Sequence, residues 1–278
     1  MPILFLFVLG LVIGSFLNVV IFRYSPEHSL FRLSNWRGRS HCRNCGATLS
    51  WHELIPLVSF LIQKGRCRNC GAGISRQYPL VEFLSGLIFL LPLYFAGIEG
   101  WIWLAAFLVF LLIAAVDYRL YIIPDELNLV LVGLGALRVG WEYFYGTFGE
   151  LQGSFLGNYA LLFGLRQNVF INHLTGLAAG ALIIGLIVAI TRGKGMGIGD
   201  LKLAGALGFL FGWPDIVLLL ALSFIIGSLA SIFLLIRRLK GMKDVVPFGP
   251  FLVSGAVVLV FWGKPILDFY FSFLWTIS

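Results

Sequence analysis

Trp101-Ile102-Trp103-Leu104-Ala105-Ala106-Phe107-Leu108-Val109-Phe110-Leu111-Leu112-Ile113-Ala114-Ala115-Val116-Asp117 carries no charge until its last residue. At about 1.5 Å per residue it rises roughly 25 Å as a helix, close to the thickness of a bilayer core. Similar runs recur at 2–22, 79–96, 127–141, 173–191, 200–212, 216–236 and 249–272. The chain has 278 residues, of which 59% are hydrophobic and 12% charged, and a mean hydropathy of +0.95. A soluble domain carries about 25% charge. A bilayer admits only helices or closed barrels, and a barrel shows short alternating segments rather than long apolar runs. The expected fold is therefore an all-α polytopic membrane protein of about eight transmembrane helices, in contact with the lipid bilayer. The first run has no basic flank and no small-residue cleavage site, so it reads as a retained span. The net charge of +7 does not imply a nucleic-acid partner, because basic residues in membrane proteins mark the cytoplasmic side.

Residues 1–22 read as the first transmembrane helix, 23–78 as a cytoplasmic loop domain, and 79–278 as the main membrane domain. A short turn is expected at 97–100. Segment 142–172 is aromatic and glycine-rich and reads as a partly membrane-associated external loop. With the N-terminus outside, all but Arg138, Arg166 and Lys264 of the twenty Lys and Arg residues fall inside. That asymmetry favours this orientation. It also puts Asp117 and Asp200 at the cytoplasmic ends of their helices, where they can meet.

Asp200 follows the glycine loop in Gly195-Met196-Gly197-Ile198-Gly199-Asp200-Leu201-Lys202. An acid at membrane depth is by default a candidate functional group. Helix 200–212 is short, which sinks the glycine loop toward a wet cleft, the setting in which irregular backbone is tolerated. Two carboxylates facing each other in such a cleft hold one proton between them. One can then take a proton from water while the other donates to a carbonyl under attack, with no metal and no covalent intermediate. Asp117 and Asp200 are the expected catalytic pair, with Gly197, Gly199 and Lys202 supporting the site. The alternatives are a helix N-cap for Asp200 and a snorkelling interfacial acid for Asp117. Asp125, after Pro124, is the rival partner, although an acid in a first helical turn is ordinary. Lys202 can equally snorkel.

Cys42-Arg43-Asn44-Cys45-Gly46 and Cys67-Arg68-Asn69-Cys70-Gly71 are near-identical knuckles. Paired Cys-x-x-Cys points to a tetrahedral zinc ion, and a cytoplasmic loop argues against two disulfides. Four thiolates leave no open position, so the zinc reads as structural, a staple for a loop too small to bury a core. His41 and His52 read as surface residues. Glu82, one turn into the second span, reads as lining a polar cavity, and Ser15 and Asn18 as helix–helix hydrogen-bonding groups.

In combination these stretches resemble the type IV prepilin peptidases, also called prepilin leader peptidase/N-methyltransferases, of the membrane aspartic protease class. The resemblance rests on Gly14-Ser15-Phe16-Leu17-Asn18-Val19-Val20, the double Cys-x-x-Cys loop, Tyr78-Pro79-Leu80-Val81-Glu82, and Asp117 with Ile123-Pro124-Asp125. Gly197 to Lys202 and Pro247-Phe248-Gly249-Pro250-Phe251 complete the series, in family order. Segment 142–172 is longer than expected there. The resemblance implies a bacterial inner-membrane endopeptidase that cuts prepilins or pseudopilins of pilus or type II secretion systems on the cytoplasmic side. It implies Asp117 and Asp200 as the catalytic pair. Because the cysteine loop is present, it also implies N-methylation by S-adenosylmethionine, associated with the 23–78 domain. The donor-binding residues stay open from sequence, and Glu82 is a candidate for the methylation region. An intramembrane protease of presenilin type shares Gly-x-Gly-Asp but does not predict the zinc loop. A non-enzymatic scaffold or transporter is the other alternative.

Overall fold

The computed structural model describes residues 2–30, 32, 36, 38–95, 97–149, 153–163, 168–241 and 244–275. Arg37, Arg166 and Lys243 of the charge count lie outside them. Helices account for the architecture. Among the described residues the only β pairing is two isolated antiparallel bridges, His41 with Thr48 and Arg66 with Gly73. The chain divides into two compact units, one ending at Val116 and one beginning at Asp117.

The first unit begins with α1 (Pro2–Arg23), followed by the cysteine loop, α2 (Gln77–Ile88) and α3 (Leu91–Tyr94). Then α4 (Gly97–Leu120) runs on into the second unit. The helix already begins at Gly97, so the turn expected at 97–100 is the first turn of α4. The break falls earlier, around Phe95, where the backbone is extended after Pro92 has started the short α3. α1 and α2 pack closely because Gly14 has no side chain. A Cβ there would lie 2.7 Å from the Ser85 Cβ and 2.8 Å from the Glu82 Cα. Asn18, 1% exposed, seals the crossing by donating to the Tyr78 carbonyl at 3.0 Å.

The second unit holds α5 (Asp125–Tyr145), α6 (Val169–Thr191), α7 (Ile198–Phe211), α8 (Asp215–Ile236) and α9 (Gly249–Trp275). α7 is its centre, with every residue from Leu203 to Leu207 buried. Its 14 residues rise about 21 Å. α6 crosses it backbone to backbone: a Cβ on Gly208 would fall 2.1 Å from the Gly176 carbonyl oxygen. The last carbonyls of α7 have no partner within the helix. Side chains of α5 and α6 supply one. Arg138 donates to Leu210 O at 2.8 Å, and His173 Nδ1 meets Phe209 O at 2.7 Å. Segment 142–172 is no plain loop. α5 continues to Tyr145, Gly157–Phe163 forms a 3₁₀ helix, and Asn168 caps α6 through its side chain. Asp215, fully buried, accepts from the Ser154 hydroxyl and from Phe155 N–H at 3.0 Å, which ties the segment down.

Among the described residues six helical stretches are long and apolar enough to cross a membrane: α1, α2 with α3, α4, α6, α8 and α9. Their outer faces are apolar. Leu182, Leu186 and Ile190 lie along one side of α6 with 64%, 60% and 81% of their surface exposed. A stripe of that kind, repeated on α8, suits hydrocarbon rather than water. The chain is an all-α, multi-pass membrane protein. The count of eight also needs α5, which carries Asp125, Glu126, Arg138 and Glu142, and α7, which is short.

Candidate active site

Asp117 sits in the last turn of α4, where its carbonyl still accepts Tyr121 N–H at 2.8 Å. It is 4% exposed. Its Oδ2 accepts the N–H of Gly249, the first residue of α9, at 2.8 Å. The carboxylate thus caps a helix that begins 132 residues later in the chain. The fit requires glycine, since a Cβ at 249 would stand 2.6 Å from that oxygen. Asp200 is the third residue of α7 and half-buried. Its Oδ2 accepts Gly197 N–H at 3.0 Å, the reaching-back half of a capping box. The two carboxylates are close enough for their charges to interact. Each is therefore held by one oxygen on a backbone amide at the start of a helix. Among the described residues no other protein hydrogen bond is made by either carboxyl group.

The glycine loop acts differently from the sequence reading. Gly197 is in ordinary extended backbone at φ −88°, and no steric contact demands glycine there. A Cβ on Gly199 would meet the Ile123 Cβ of the 121–124 link at 3.4 Å, an ordinary contact. Lys202 is not a lone interfacial cation. Its Nζ bonds both oxygens of Asp125, at 2.7 and 2.9 Å. Asp125 is 67% exposed in this pair and opens α5 after Pro124. The rival acid thus joins the starts of α5 and α7 on the surface.

In the first unit the two cysteine knuckles fold alike. Cys42 N–H bonds Ala47 O and Cys67 N–H bonds Ala72 O, each at 2.8 Å. Gly46 and Gly71 close the turns at φ +72° and +71°, which favours glycine. All four Sγ atoms lie within 4.8 Å of one another, with Cys42 and Cys70 at 3.9 Å. A tetrahedral zinc with bonds of about 2.3 Å separates its sulfurs by roughly 3.8 Å, so the set fits one metal ion. Each knuckle also supports the other: Asn44 donates to Cys70 Sγ at 3.6 Å and Asn69 to Cys45 Sγ at 3.7 Å. The Ala72 amide, then the Asn44 side chain, lower the Cys70 thiol to about 6. His41 and His52 are exposed and stand outside the four-sulfur set. Glu82 is 7% exposed, accepts Leu57 N–H at 2.8 Å, and is hydrogen-bonded to Ser15.

Two features escaped the sequence reading. Gly249 was visible within Pro247–Phe251, but nothing local says that its amide meets Asp117. The other is a buried ionic group. Glu142, 1% exposed, takes Arg138 Nε at 2.9 Å and His173 Nε2 at 3.2 Å. Arg138 and Glu142 are four residues apart inside an apolar helix, a spacing that signals a pair. The charge count had treated Arg138 as an external cation.

Two family models match: the bacterial peptidase A24 N-terminal domain over residues 8–95 and the type IV leader peptidase family over 102–232. The chain is 32% identical to a prepilin leader peptidase/N-methyltransferase of Aeromonas salmonicida (strain A449), over 96% of its own length and 92% of the relative's. A protein of the same name from Burkholderia pseudomallei (strain 1026b) is 31% identical over 95% and 87%. One from Xanthomonas campestris pv. campestris is 30% identical over 95% and 93%. No solved structure matches the chain. With relatives this similar along nearly the whole length, the chain belongs to the type IV leader peptidase family.

Proposed function

We propose that this protein is a membrane aspartic endopeptidase that removes the leader from prepilins or pseudopilins and then N-methylates the new terminal residue. The observation that carries the peptidase reading is the Asp117–Asp200 arrangement: two acids from different helices, each anchored on a helix-start amide and within electrostatic reach. One carboxylate takes a proton from a water molecule, whose oxygen bonds to the scissile carbonyl carbon. The other, protonated, gives its proton to the carbonyl oxygen. As the tetrahedral intermediate collapses, the C–N bond breaks and the amine leaves with the proton the first carboxylate had taken. Gly249, Gly197 and Gly199 position the pair, and the Lys202–Asp125 bridge steadies the same end of α7.

The four cysteines would hold a structural zinc ion, with Asn44 and Asn69 orienting the thiolates. Methylation, the second activity in the relatives' name, would draw its methyl from S-adenosylmethionine, a sulfonium whose methyl group is electrophilic. The division of labour we favour is a first span at 1–22, a zinc-stapled domain at 23–78 tied to methylation, and a peptidase domain at 79–278. In this reading α5 and α7 complete eight membrane helices. The protein would lie in the bacterial inner membrane with its N-terminus outside and both aspartates facing the cytoplasm, which the Lys and Arg distribution supports.

The test is incubation of a purified prepilin with wild type, Asp117→Asn and Asp200→Asn, read by mass spectrometry for leader loss and a gain of one methyl. Cleavage by wild type and by neither variant supports the peptidase reading. Normal cleavage by both variants refutes it.

A further inference from the structure

Between the two cysteine knuckles the chain forms a 3₁₀ turn, Trp51–Leu54, and a short helix, Val58–Ile62, which pack against each other. Both present apolar side chains outward. Trp51, Leu61 and Ile62 are 78%, 73% and 65% exposed, and Ile55 and Val58 are exposed as well. Val58, Leu61 and Ile62 stand at i, i+3 and i+4, on one face of the helix. Ser59, Phe60 and Gln63 take the other side, toward α1 and α2. A small domain surrounded by water does not leave such a face bare, and a patch of this kind marks contact with a protein or a membrane.

The depth at which the segment is fastened decides between the two. Leu57 N–H donates to Glu82 Oε2 at 2.8 Å. Leu57 itself holds φ +59°, a left-handed conformation that a leucine adopts only where its surroundings impose it. The turn that launches the helix is therefore set by α2. Glu82 lies about 7 Å beyond the start of α2 at Gln77, at a rise of about 1.5 Å per residue. It packs against Gly14, about 13 Å short of the end of α1 at Arg23 by the same rise. The headgroup layer on each side of a bilayer is only about 5–7 Å deep. Since α1, and α2 with α3, are long and apolar enough to cross a membrane, a segment tied to them there lies at the edge of the hydrocarbon. At the same depth α2 exposes Leu80 and Phe83. The flanks agree: Trp51 is of a residue type that gathers at membrane interfaces, and Lys64, Arg66 and Arg68, all exposed just past the helix, suit anionic headgroups.

We propose that residues 51–62 are a membrane anchor, which dips Trp51, Ile55, Val58, Leu61 and Ile62 into one leaflet and sets Lys64, Arg66 and Arg68 on anionic phospholipid headgroups. The segment between the cysteine knuckles is then part of the membrane-bound surface, and it tethers the four-cysteine set to the bilayer. The proposal goes beyond the peptidase and methylation readings and depends on neither.

The test reconstitutes the full-length protein in phosphatidylcholine vesicles that carry a phospholipid with a photoreactive diazirine on its acyl chain. After irradiation, lipid adducts are mapped by mass spectrometry. Adducts on residues 51–62 and on α2, with none on the exposed knuckle residues Asn44 and Asn69, support the anchor. Leu61→Ser with Ile62→Ser returns two apolar side chains to water and should lower the adduct yield on the segment about tenfold, with the unfolding temperature unchanged. In that weakened variant, phosphatidylglycerol added to the vesicles should restore part of the yield. A wild-type segment free of adducts while α2 is labelled overturns the anchor, and cross-linking of that face to a second copy or to added prepilin would assign it to a protein instead. Equal labelling of the segment and the knuckles overturns it too. A variant yield indifferent to phosphatidylglycerol overturns the part given to the three basic residues.

Discussion

Gly249→Ala is the most discriminating single change in this protein. The added methyl would stand 2.6 Å from Asp117 Oδ2 and 3.2 Å from its Cγ. Ordinary carbon contacts lie at about 3.5–4.0 Å, so the carboxylate has to retreat by about an ångström. The 2.8 Å hydrogen bond from Gly249 N–H is lost with it. The atoms that give way are the end of a flexible side chain, so the fold survives. Removing a hydrogen bond to a charged group costs about 1.5–3 kcal/mol, and replacing glycine in a helix returns about 0.5–1 kcal/mol. The net loss of stability is then about 0.5–2.5 kcal/mol. Catalysis suffers more, because misplacing a reacting group by about 1 Å costs on the order of 10²-fold in rate, near 2.7 kcal/mol of barrier. The assay is steady-state cleavage of a purified prepilin, with kcat and KM measured separately, beside thermal unfolding in the same detergent. The expected result is a kcat lower by about 10² with KM little changed. Gly133→Ala is the control, since a Cβ there meets nothing within 4 Å. A Gly249→Ala enzyme with wild-type kcat would refute the idea that this amide aims Asp117.

Asp125→Asn should keep cleavage within a fewfold of wild type and cost at most about 1 kcal/mol, because its bridge to Lys202 is exposed; loss of cleavage on the scale of Asp117→Asn would make Asp125 the catalytic acid. For Asp117→Asn and Asp200→Asn, the loss of a general acid or base lowers kcat by about 10²- to 10⁴-fold, measured in the same cleavage assay. Cys42→Ser or Cys67→Ser should abolish stoichiometric zinc, read by metal analysis, and should impair methylation more than cleavage; equal loss of both would mean the loop only supports the fold. Glu142→Gln leaves the buried Arg138 and His173 without their anion, and breaking a buried pair costs about 3–5 kcal/mol, so the unfolding temperature should fall markedly, and a wild-type unfolding temperature would refute this role.

The helical class and most helix positions were legible because burial in lipid imposes long, continuous apolar runs. The metal-binding set was legible for a similar reason: both halves of each knuckle lie within four residues, and the two copies repeat. What stayed hidden involves partners far apart in the chain. Arg138 reaches Leu210 across 72 positions and Asp117 reaches Gly249 across 132, and no local periodicity records such meetings. The glycine loop contributes an amide rather than an unusual conformation. Gly197 meets no close steric neighbour, whereas a Cβ at Gly249 would stand 2.6 Å from the Asp117 carboxylate. Segment 142–172 resisted assignment because its order comes from Asp215, an acid that looks locally like an ordinary first-turn residue of α8.

The backbone amides also explain how one small region tolerates two like charges. A helix start carries unpaired N–H groups and the positive end of the helix dipole, and both attract an anion. Asp117 lies against the start of α9, and Asp200 lies within the first turn of α7. Each acid therefore has its own positive pole, supplied by backbone rather than by a lysine or arginine. A mobile cation would pair with a carboxylate and take the lone pairs that water needs, as Lys202 does on Asp125. An amide fixed in a helix holds one oxygen of each acid and leaves the other for water and substrate. Lys202 is thus committed elsewhere, to the exposed Asp125. On this argument Lys202→Met should weaken the α5–α7 tie without adding or removing a charge partner of either catalytic acid. Its effect on cleavage should stay well below that of Gly249→Ala, and a larger one would mean that Lys202, not the backbone, balances the pair.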